Sequence, residues 1–263
     1  MQIVVVRASR LHLENVGKKD YAMIQRAMIP LSVLAVVITL LAASAPSEGQ
    51  VSLIGPDFSA WRLETGTWFA AGGAKINPTD EKLLKPEPGS GVIVNGPDGK
   101  TVHLLSKNEF GDVEAHIEFM VPKGSNSGVY FQGRYEIQIL DSYGVEKPTY
   151  TDCGGIYQRW DEKREPMGYE GTSPKVNASL PPGQWQTFYV IFRAPKFDAA
   201  GKKIANAKFE KVVFNGKLIH ENVELTGPTR ASRYNDEAPL GPLMIQGDHG
   251  PVAYRNITLK PLK

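Results

Sequence analysis

The feature that most constrains the fold of this chain is a two-residue alternation of apolar and polar side chains, interrupted by glycine, proline, asparagine and aspartate. In residues 113–121 every second residue is apolar, and most of the residues between them are ionisable. Successive side chains of a strand point to opposite faces of a sheet, so this pattern is typical of a half-buried β-strand. After Gln50 no long stretch has the period of a helix.

Segments of this kind recur along the chain. The most definite is 211–219, in which Asn215-Gly216 separates two β-prone runs and supplies the two positive φ angles of a type I′ hairpin turn. No βαβ unit is recognisable, so we predict an all-β sandwich of two antiparallel sheets. The other predicted strands are 67–70, 91–94, 127–131, 135–140, 155–160, 187–192, 243–246 and 252–259, and 195–206 and 229–238 are predicted loops.

Charge and cysteine content exclude several classes of protein. The 263 residues include 30 Lys and Arg and 28 Asp and Glu; the first 45 residues hold five of the bases and two of the acids, which leaves 25 and 26 for the rest. A nucleic-acid binder needs a clustered excess of positive charge, so we expect no nucleic-acid partner. The single cysteine, Cys153, excludes an intrachain disulfide framework and a cysteine-based zinc site, and we interpret it as a small buried residue.

The first 45 residues have the features of an export leader. Residues 29–45 form an uncharged apolar run that follows Arg26 and ends in Ala43-Ser44-Ala45, which has the A-x-A form of a signal-peptidase site. The run is marginal for a membrane span, which needs about 20 apolar residues. We therefore predict an exported, periplasmic or extracellular protein whose domain occupies 51–263. The alternative is an uncleaved N-terminal anchor, and no other membrane contact is expected.

Polar side chains share one face of the predicted strand 135–140. Glu136 and Gln138 are two residues apart, so they project from the same face with Cα atoms roughly 7 Å apart. The isoleucines that follow each of them project into the core. Tyr130 and Asn126 lie in the preceding segment. Two interpretations remain open: a ligand-binding face with Glu136 as an acid or base, and a plain outer face on which Glu136 is solvated.

Asp141 and His249 are further candidates for proton transfer. Strict alternation places Asp141 opposite Glu136, a β-bulge would bring both to one face, and a third interpretation is a cap of the turn at 141–144. His249 lies in a Gly-Asp-His-Gly segment, where glycines allow a sharp turn that exposes the imidazole. A histidine that titrates near neutral pH suits proton transfer. The alternative is a turn histidine bonded to a nearby carbonyl.

Gln246 and Arg255 are candidate sugar contacts. Gln246 precedes His249 on a predicted strand and could project onto the ligand-binding face. Arg255 stands between a tyrosine and an asparagine, where it could anchor a sugar hydroxyl or a carboxylate. The alternative for Arg255 is a structural salt bridge across the sheet.

No histidines are spaced as metal ligands usually are. His116 alternates with Glu114 and Glu118 on one strand face, which could bind a cation but is more typical of a solvated outer face. No cofactor is assured by the sequence. A divalent metal held by distant residues such as Glu136 and His249 is left open.

A set of short motifs resembles the 3-keto-disaccharide hydrolase family. The set covers roughly residues 51–263 in the family's order, and one departure is Gln132, where the family commonly has Arg. The matching motifs are Phe110-Gly111-Asp112, 126–131 (NSGVYF), 135–141 (YEIQILD), 154–157 (GGIY), 182–185 (PGQW), 214–216 (FNG), 245–250 (IQGDHG) and 252–257 (VAYRNI).

The resemblance implies a concanavalin A-like jelly roll with sugar bound across a concave sheet face. It also implies an exported bacterial enzyme that cleaves glycosides already oxidised at C3 of the sugar. It supports catalytic roles for Glu136, Asp141 and His249. By the same resemblance, the substrate-binding residues would be Asn126, Tyr130, Gln132, Arg134, Gln138, Gln246 and Arg255.

The chemistry of such a substrate indicates what the site needs. A C3 ketone acidifies the proton on C2, so a base can remove that proton and the group on C1 can leave; water can add afterwards. This route requires a base near C2, donors for the enolate oxygen and an acid for the leaving group. Two other functions fit the fold: a non-catalytic lectin-like module and an ordinary β-glycosidase with two flanking carboxylates. We expect a carbohydrate partner and a monomer.

Overall fold

The computed structural model describes residues 49–62 and 64–263, and the predicted leader with its apolar run lies outside them. In the described ranges the chain forms strands and no helix. No helix in this part of the chain is therefore long and apolar enough to cross a membrane. The strands are β1 (Val51–Ser52), β2 (Trp68–Asn77), β3 (Asp80–Asn95), β4 (Leu104–Phe110), β5 (Val113–Met120), β6 (Asn126–Phe131), β7 (Tyr135–Leu140), β8 (Arg159–Trp160), β9 (Gly168–Tyr169), β10 (Gln186–Arg193), β11 (Lys196–Phe197), β12 (Lys203–Ala205), β13 (Ala207–Phe214), β14 (Lys217–Leu225), β15 (Gly241–Ile245) and β16 (Ala253–Pro261).

The larger sheet has the order β14-β13-β10-β5-β16-β3-β2, with β1 also paired to β16. Its neighbouring strands are antiparallel. In β5 and β10 every second residue is buried, and the two strands pair in register with Val190 opposite Ala115. The alternation predicted for 113–121 is confirmed, because one face of this sheet packs in the core and the other meets solvent.

The smaller sheet has the order β4-β15-β6-β7 and is antiparallel throughout. The segment after Cys153 extends it beyond β7: the Gln138 amide donates to the Gly155 carbonyl at 2.9 Å, and Ile156 forms a bridge with Ile137. Hydrogen bonds between Ile156 and Thr172 add one more short pairing. Backbone from a long connection therefore lies beside β7, at the edge that will form part of the site.

The core lies between the two sheets and is rich in phenylalanine. Phe131 of the small sheet packs on Phe192 and Phe209 of the large sheet, with ring centroids 5.2 and 5.4 Å apart. Aromatic pairs at such separations stabilise beyond the area they bury. Cys153 is also buried in this core, as predicted. The prediction of an all-β jelly-roll sandwich is confirmed.

The predicted hairpin turn is confirmed, with φ of 46° at Asn215 and 77° at Gly216 between β13 and β14. Other local predictions were incomplete. The strand predicted at 155–160 forms only at Arg159–Trp160, and the predicted loop 195–206 contains the short β11–β12 hairpin. The sequence showed no sign of β4 or of the first half of β3, because the latter is charged, rich in proline and exposed, and so lacks an apolar alternation.

Candidate functional site

The small sheet turns one face to the core and the other away from it. On β6, Val129 and Phe131 belong to the core, whereas Asn126 and Tyr130 project from the opposite face. On β7 the isoleucines are in the core and Glu136 projects outward. The period-two pattern of both strands thus places polar groups on one outer surface, as the sequence predicted.

A cavity of about 270 Å³ lies on this outer face. Loops bring in residues from distant parts of the chain, so the polar side chains of β6 and β7 are covered rather than solvated. Six residues that the sequence analysis singled out meet here. The cavity is lined by Asn126, Tyr130, Glu136, Gln138, Tyr157, Arg230, Ala231, Gln246 and His249.

Glu136 is the most unusual group in this cavity. Its side chain is buried, with 3% exposure, and no lysine, arginine or histidine of the described chain forms an ion pair with it. Burial raises the pKa of its carboxyl to about 8, and the hydroxyl of Tyr130, opposite it on β6, partly opposes that rise. A buried carboxyl without a cationic partner is a common feature of catalytic sites.

Gly128 makes the room that this carboxyl occupies. A Cβ at Gly128 would lie 2.3 Å from Oε1 of Glu136 and 3.1 Å from the ring of Tyr130. The first separation is shorter than real Cβ contacts allow, so a larger residue would displace the Glu136 carboxyl. The glycine of the Asn-Ser-Gly-Val motif therefore leaves the space in which this carboxyl approaches the strand.

His249 is held by its neighbour Asp248. Nδ1 of His249 lies 2.5 Å from Oδ1 of Asp248 and 3.2 Å from Nε2 of Gln246. The short contact with a carboxylate places the proton on Nδ1, so the Gln246 amide cannot donate to that atom. Nε2 of His249 has no partner among the described residues and is the nitrogen available to a ligand.

Gln246 offers an unused acceptor at the same place. Its side chain is 6% exposed, and its buried Oε1 has no hydrogen-bond partner in the described chain. Leaving a buried acceptor unsatisfied costs about 1–3 kcal/mol. A hydroxyl group of a bound sugar could satisfy it, which is consistent with the predicted substrate contact.

The sequence profile of a known family matches almost all of the described chain. Residues 49–260 match the 3-keto-alpha-glucoside-1,2-lyase-like domain. This chain belongs to that family. The resemblance identified from the sequence motifs is thereby confirmed, and the protein has a carbohydrate-active domain of the glycoside hydrolase-like kind.

Solved structures show the same fold. A candidate glycosyl hydrolase from Parabacteroides distasonis is 25% identical, with a TM-score of 0.58, over 82% of this chain and 84% of that chain. A second candidate glycosyl hydrolase from the same organism is 15% identical, with a TM-score of 0.50, over 82% of this chain and 95% of that chain, and it supports the fold alone. No curated protein sequence matches the chain.

Three residues of the cavity were not predicted from the sequence, Ala231 and the two polar residues Tyr157 and Arg230. Burial, with a smaller contribution from Glu136, raises the pKa of Tyr157. The Arg230 guanidinium stacks on the ring of Trp160, 3.9 Å from its centroid, and its backbone amide donates to the Gln158 carbonyl at 2.8 Å. Tyr157 lies in the family-matching motif 154–157, which could have identified it as a candidate site residue. Nothing in the sequence of the polar loop 229–238 indicated that Arg230 would reach the cavity.

Asp141 lies away from this cavity, which corrects its assignment beside Glu136. β6 and β7 pair without a register shift, so no bulge turns Asp141 toward the outer face. Its Oδ2 accepts a hydrogen bond from the Gly124 amide at 2.9 Å, and it borders a different depression with Lys123 and Tyr143. The structure therefore matches the alternative interpretation, a residue that ties a turn.

Gln132 and Arg134 also lie outside the cavity and hold the β6–β7 turn in place. Gln132 has a φ of 56°, and its Nε2 donates to the carbonyls of Phe110 and Pro239 at 3.1 and 3.0 Å. The buried Arg134 guanidinium donates to the Asp236 carbonyl at 2.6 Å and its carboxylate at 2.9 Å. Both side chains fasten the loop 229–239, and neither lines the cavity.

Arg255 belongs to the other side of the molecule. Its Nε donates to Oε2 of Glu118 at 2.6 Å, and its guanidinium stacks 4.2 Å from the ring centroid of Trp185. Both contacts are on the outer face of the large sheet. The structure matches the alternative interpretation of Arg255, a salt bridge across the sheet.

No group of three or more His, Cys, Asp or Glu side chains in the described ranges is arranged to hold a metal ion. The ionisable and hydroxyl groups that line the cavity are thus a buried carboxyl, an imidazole, an arginine and two tyrosine hydroxyls. These groups can take up, deliver and stabilise protons and negative charge.

Proposed function

We propose that this protein cleaves glycosides that carry a ketone at C3 of the sugar, by elimination across C1 and C2. The observation that carries the proposal is the unpaired, buried carboxyl of Glu136, whose pKa is raised to about 8 and which borders a polar cavity. A base of this strength is suited to removing a proton from carbon next to a ketone. Membership of a 3-keto-alpha-glucoside-1,2-lyase-like family supports the same substrate class.

The first half of the reaction uses Glu136 as the base. Its carboxylate removes the proton from C2, and the C–H electron pair forms the C2–C3 double bond while the ketone oxygen takes negative charge. Arg230 and the Tyr157 hydroxyl are the donors in the cavity that can stabilise that enolate oxygen. Donors aimed at a developing oxyanion commonly contribute the largest part of such catalysis.

The second half expels the leaving group. The C3 ketone forms again, the electron pair moves to make the C1–C2 double bond, and the bond from C1 to the leaving oxygen breaks. His249, as an imidazolium with protons on both ring nitrogens, gives that oxygen the proton of Nε2 and keeps the proton of Nδ1, through which Asp248 orients the ring. The products are the free alcohol and an unsaturated keto sugar, and addition of water to the double bond would make the net reaction a hydrolysis.

A paired-substrate assay tests the proposal. The purified protein is incubated with a 3-keto-disaccharide and with its unoxidised parent in deuterated water. We expect cleavage of the keto substrate alone, with deuterium incorporated at C2 whenever the enolate returns to substrate. Equal cleavage of both substrates would remove the ketone requirement. Binding of both without cleavage would instead indicate a carbohydrate-binding module.

Export is the remaining part of the proposal and is supported by the apolar run at 29–45 and its A-x-A ending. Such a protein would meet its substrate outside the cytoplasm. Fractionation of cells, followed by intact-mass measurement of the extracytoplasmic form, tests this. A full-length protein confined to the cytoplasm would contradict it.

A further inference from the structure

A second, wider cavity lies on the same outer face of the small sheet, over β4. Its volume is about 760 Å³. Leu105 and Lys107 alternate along β4 and point into it, and His103 precedes them with the same spacing. The segment around Trp61 pairs with the outer edge of β4, and Arg62 and Glu64 border the second cavity.

The two cavities adjoin across β15. Asp248 lines the second cavity, and His249, the next residue, lines the first. In the loop that covers the face, Arg230 borders the first cavity and Arg233 the second. Strands lie about 4.8 Å apart, so the four strands span roughly 14 Å, about the length of a disaccharide or an aryl glycoside.

The second cavity contains two cations that form no ion pair with a described residue, although one of them, Lys107, interacts electrostatically with Asp57. Lys107 and Arg233 are both exposed and form no ion pair within the described chain, whereas Arg62 is paired with Glu109 at 3.1 Å. Asp248 is engaged by His249. One unpaired acid, Glu64, borders the same space. The unpaired charges therefore amount to two cations against one anion, next to the nitrogen that would protonate a leaving group.

The neighbouring His103 adds no positive charge. Its Nδ1 accepts a hydrogen bond from the Gly247 amide at 3.3 Å, so that atom carries no proton and its 3.8 Å approach to Asp248 is not an ion pair. The cationic character of the second cavity comes from Lys107 and Arg233 alone.

We propose that the second cavity binds the leaving group and selects leaving groups that carry negative charge, through Lys107 and Arg233. This inference rests on the proposed function, because the leaving group is defined by cleavage at C1. The preferred substrates would then be 3-keto-glycosides of acidic alcohols or phenols rather than of neutral ones. Opposite charges in a partly enclosed space raise both affinity and association rate, and salt weakens them.

The test compares two 3-keto-glucosides that differ in one charge. Their leaving groups are 4-hydroxybenzoate and 4-hydroxybenzamide, and the measured quantity is the ratio of kcat/KM for the acid to that for the amide. We expect the ratio in the double variant Lys107→Gln/Arg233→Gln to be about tenfold lower than in the wild type at low salt. We expect Glu64→Gln to raise it and 0.5 M salt to compress the difference, since the Debye length is then about 4 Å.

A matched control removes the same charge elsewhere. The double variant Lys217→Gln/Lys260→Gln takes two exposed lysines from the large sheet and should leave the ratio unchanged. An equal ratio in the wild type and in Lys107→Gln/Arg233→Gln would overturn the inference while cleavage of both substrates upheld the proposed function.

Failure of the proposed function would look different, because neither substrate would be cleaved. The inference remains testable in that case by calorimetric titration of the two free phenols. Tighter binding of 4-hydroxybenzoate that is lost in Lys107→Gln/Arg233→Gln supports the charged subsite. Equal or absent binding of both phenols contradicts it.

Discussion

The outer faces of the two sheets have the same kind of alternating sequence pattern, but their glutamates lie in different environments. On the large sheet, Glu118 receives hydrogen bonds from Arg255 at 2.6 Å and Asn256 at 2.9 Å. Burial alone would raise its pKa, but these partners and His116 outweigh burial and lower it. On the small sheet, Glu136 has only a tyrosine hydroxyl beside it, and its pKa rises to about 8.

The comparison indicates that hydrogen-bond and ion-pair partners, rather than position on a strand, determine the pKa of a carboxyl and therefore its chemistry. Glu118 is ionised and committed to a structural cluster on an open face. Glu136 is buried beneath loops that bring no lysine or arginine into an ion pair with it, so it keeps a basic site for a ligand. An unpaired buried carboxyl costs stability, and functional sites commonly carry such costs.

Replacing each carboxyl in turn should give the largest contrast. Glu136→Gln keeps the shape and loses the basicity, so kcat/KM for a 3-keto-glycoside should fall by about 100-fold or more. Glu118→Gln removes a carboxylate from the large sheet and should leave kcat/KM within about twofold, the scale expected of a residue remote from the reaction. Steady-state kinetics on both variants checks this, and near-normal turnover in Glu136→Gln would exclude it as the base.

The same variant should change the pH dependence of stability. The folded pKa of Glu136 is about 8 against a usual value of 4.5, so between these pH values the folded state holds a proton that the unfolded state has lost. The free energy of unfolding must then fall as pH rises through that window. Relative to the wild type, Glu136→Gln should gain about 2 kcal/mol between pH 5 and pH 7, on the scale of about 1.4 kcal/mol per pKa unit.

Denaturant melts of both proteins at the two pH values measure this difference. Other titrating groups cancel in the comparison, among them His220, whose pKa burial lowers to about 4. Parallel pH profiles for the wild type and Glu136→Gln would show that the carboxyl is not held neutral. Glu118→Gln should show no such gain, because the pKa of Glu118 is lowered rather than raised.

The pH dependence of catalysis should follow the same group. If ionised Glu136 is the base, kcat/KM should rise about tenfold per pH unit below pH 8, since this ratio reports the free enzyme. At neutral pH the carboxyl is mostly protonated, so the rise should still be in progress at pH 7. A decrease over this range would reassign Glu136 as the acid of the reaction.

Much of the fold was predictable because it depends on local chemistry. Residues 113–121 alternate because one face of their strand is buried. Asn215-Gly216 stands where the backbone of the hairpin needs two positive φ angles. The exposed first half of β3 was not predictable, because without burial no apolar pattern is needed. It pairs with β2 through backbone hydrogen bonds, and these leave little trace in side-chain type.

The candidate site was predictable only within single strands. Alternation correctly placed Glu136 and Gln138 together, but it could not say which outer face loops would cover. That depends on the long connections around Tyr157 and Arg230, which return to the sheet through tertiary contacts. For the same reason Arg134 was assigned to the substrate, although its guanidinium binds the covering loop at Asp236.

Substitution of Arg255 should have the smallest effect on activity, and it tests directly whether the outer face of the large sheet takes part in the reaction. Arg255 was a candidate substrate contact from sequence, and the structure places it with Glu118 and Trp185 on the large sheet. Arg255→Gln should change kcat/KM by less than twofold, roughly the limit for a site without functional contacts, and lower stability by about 0.5 kcal/mol, because a half-exposed ion pair contributes little. Kinetics and a denaturant melt on the same preparation measure both quantities. A large loss of turnover with unchanged stability would mean that substrate reaches the large sheet. It would then be wrong to confine the chemistry to the covered face around Glu136.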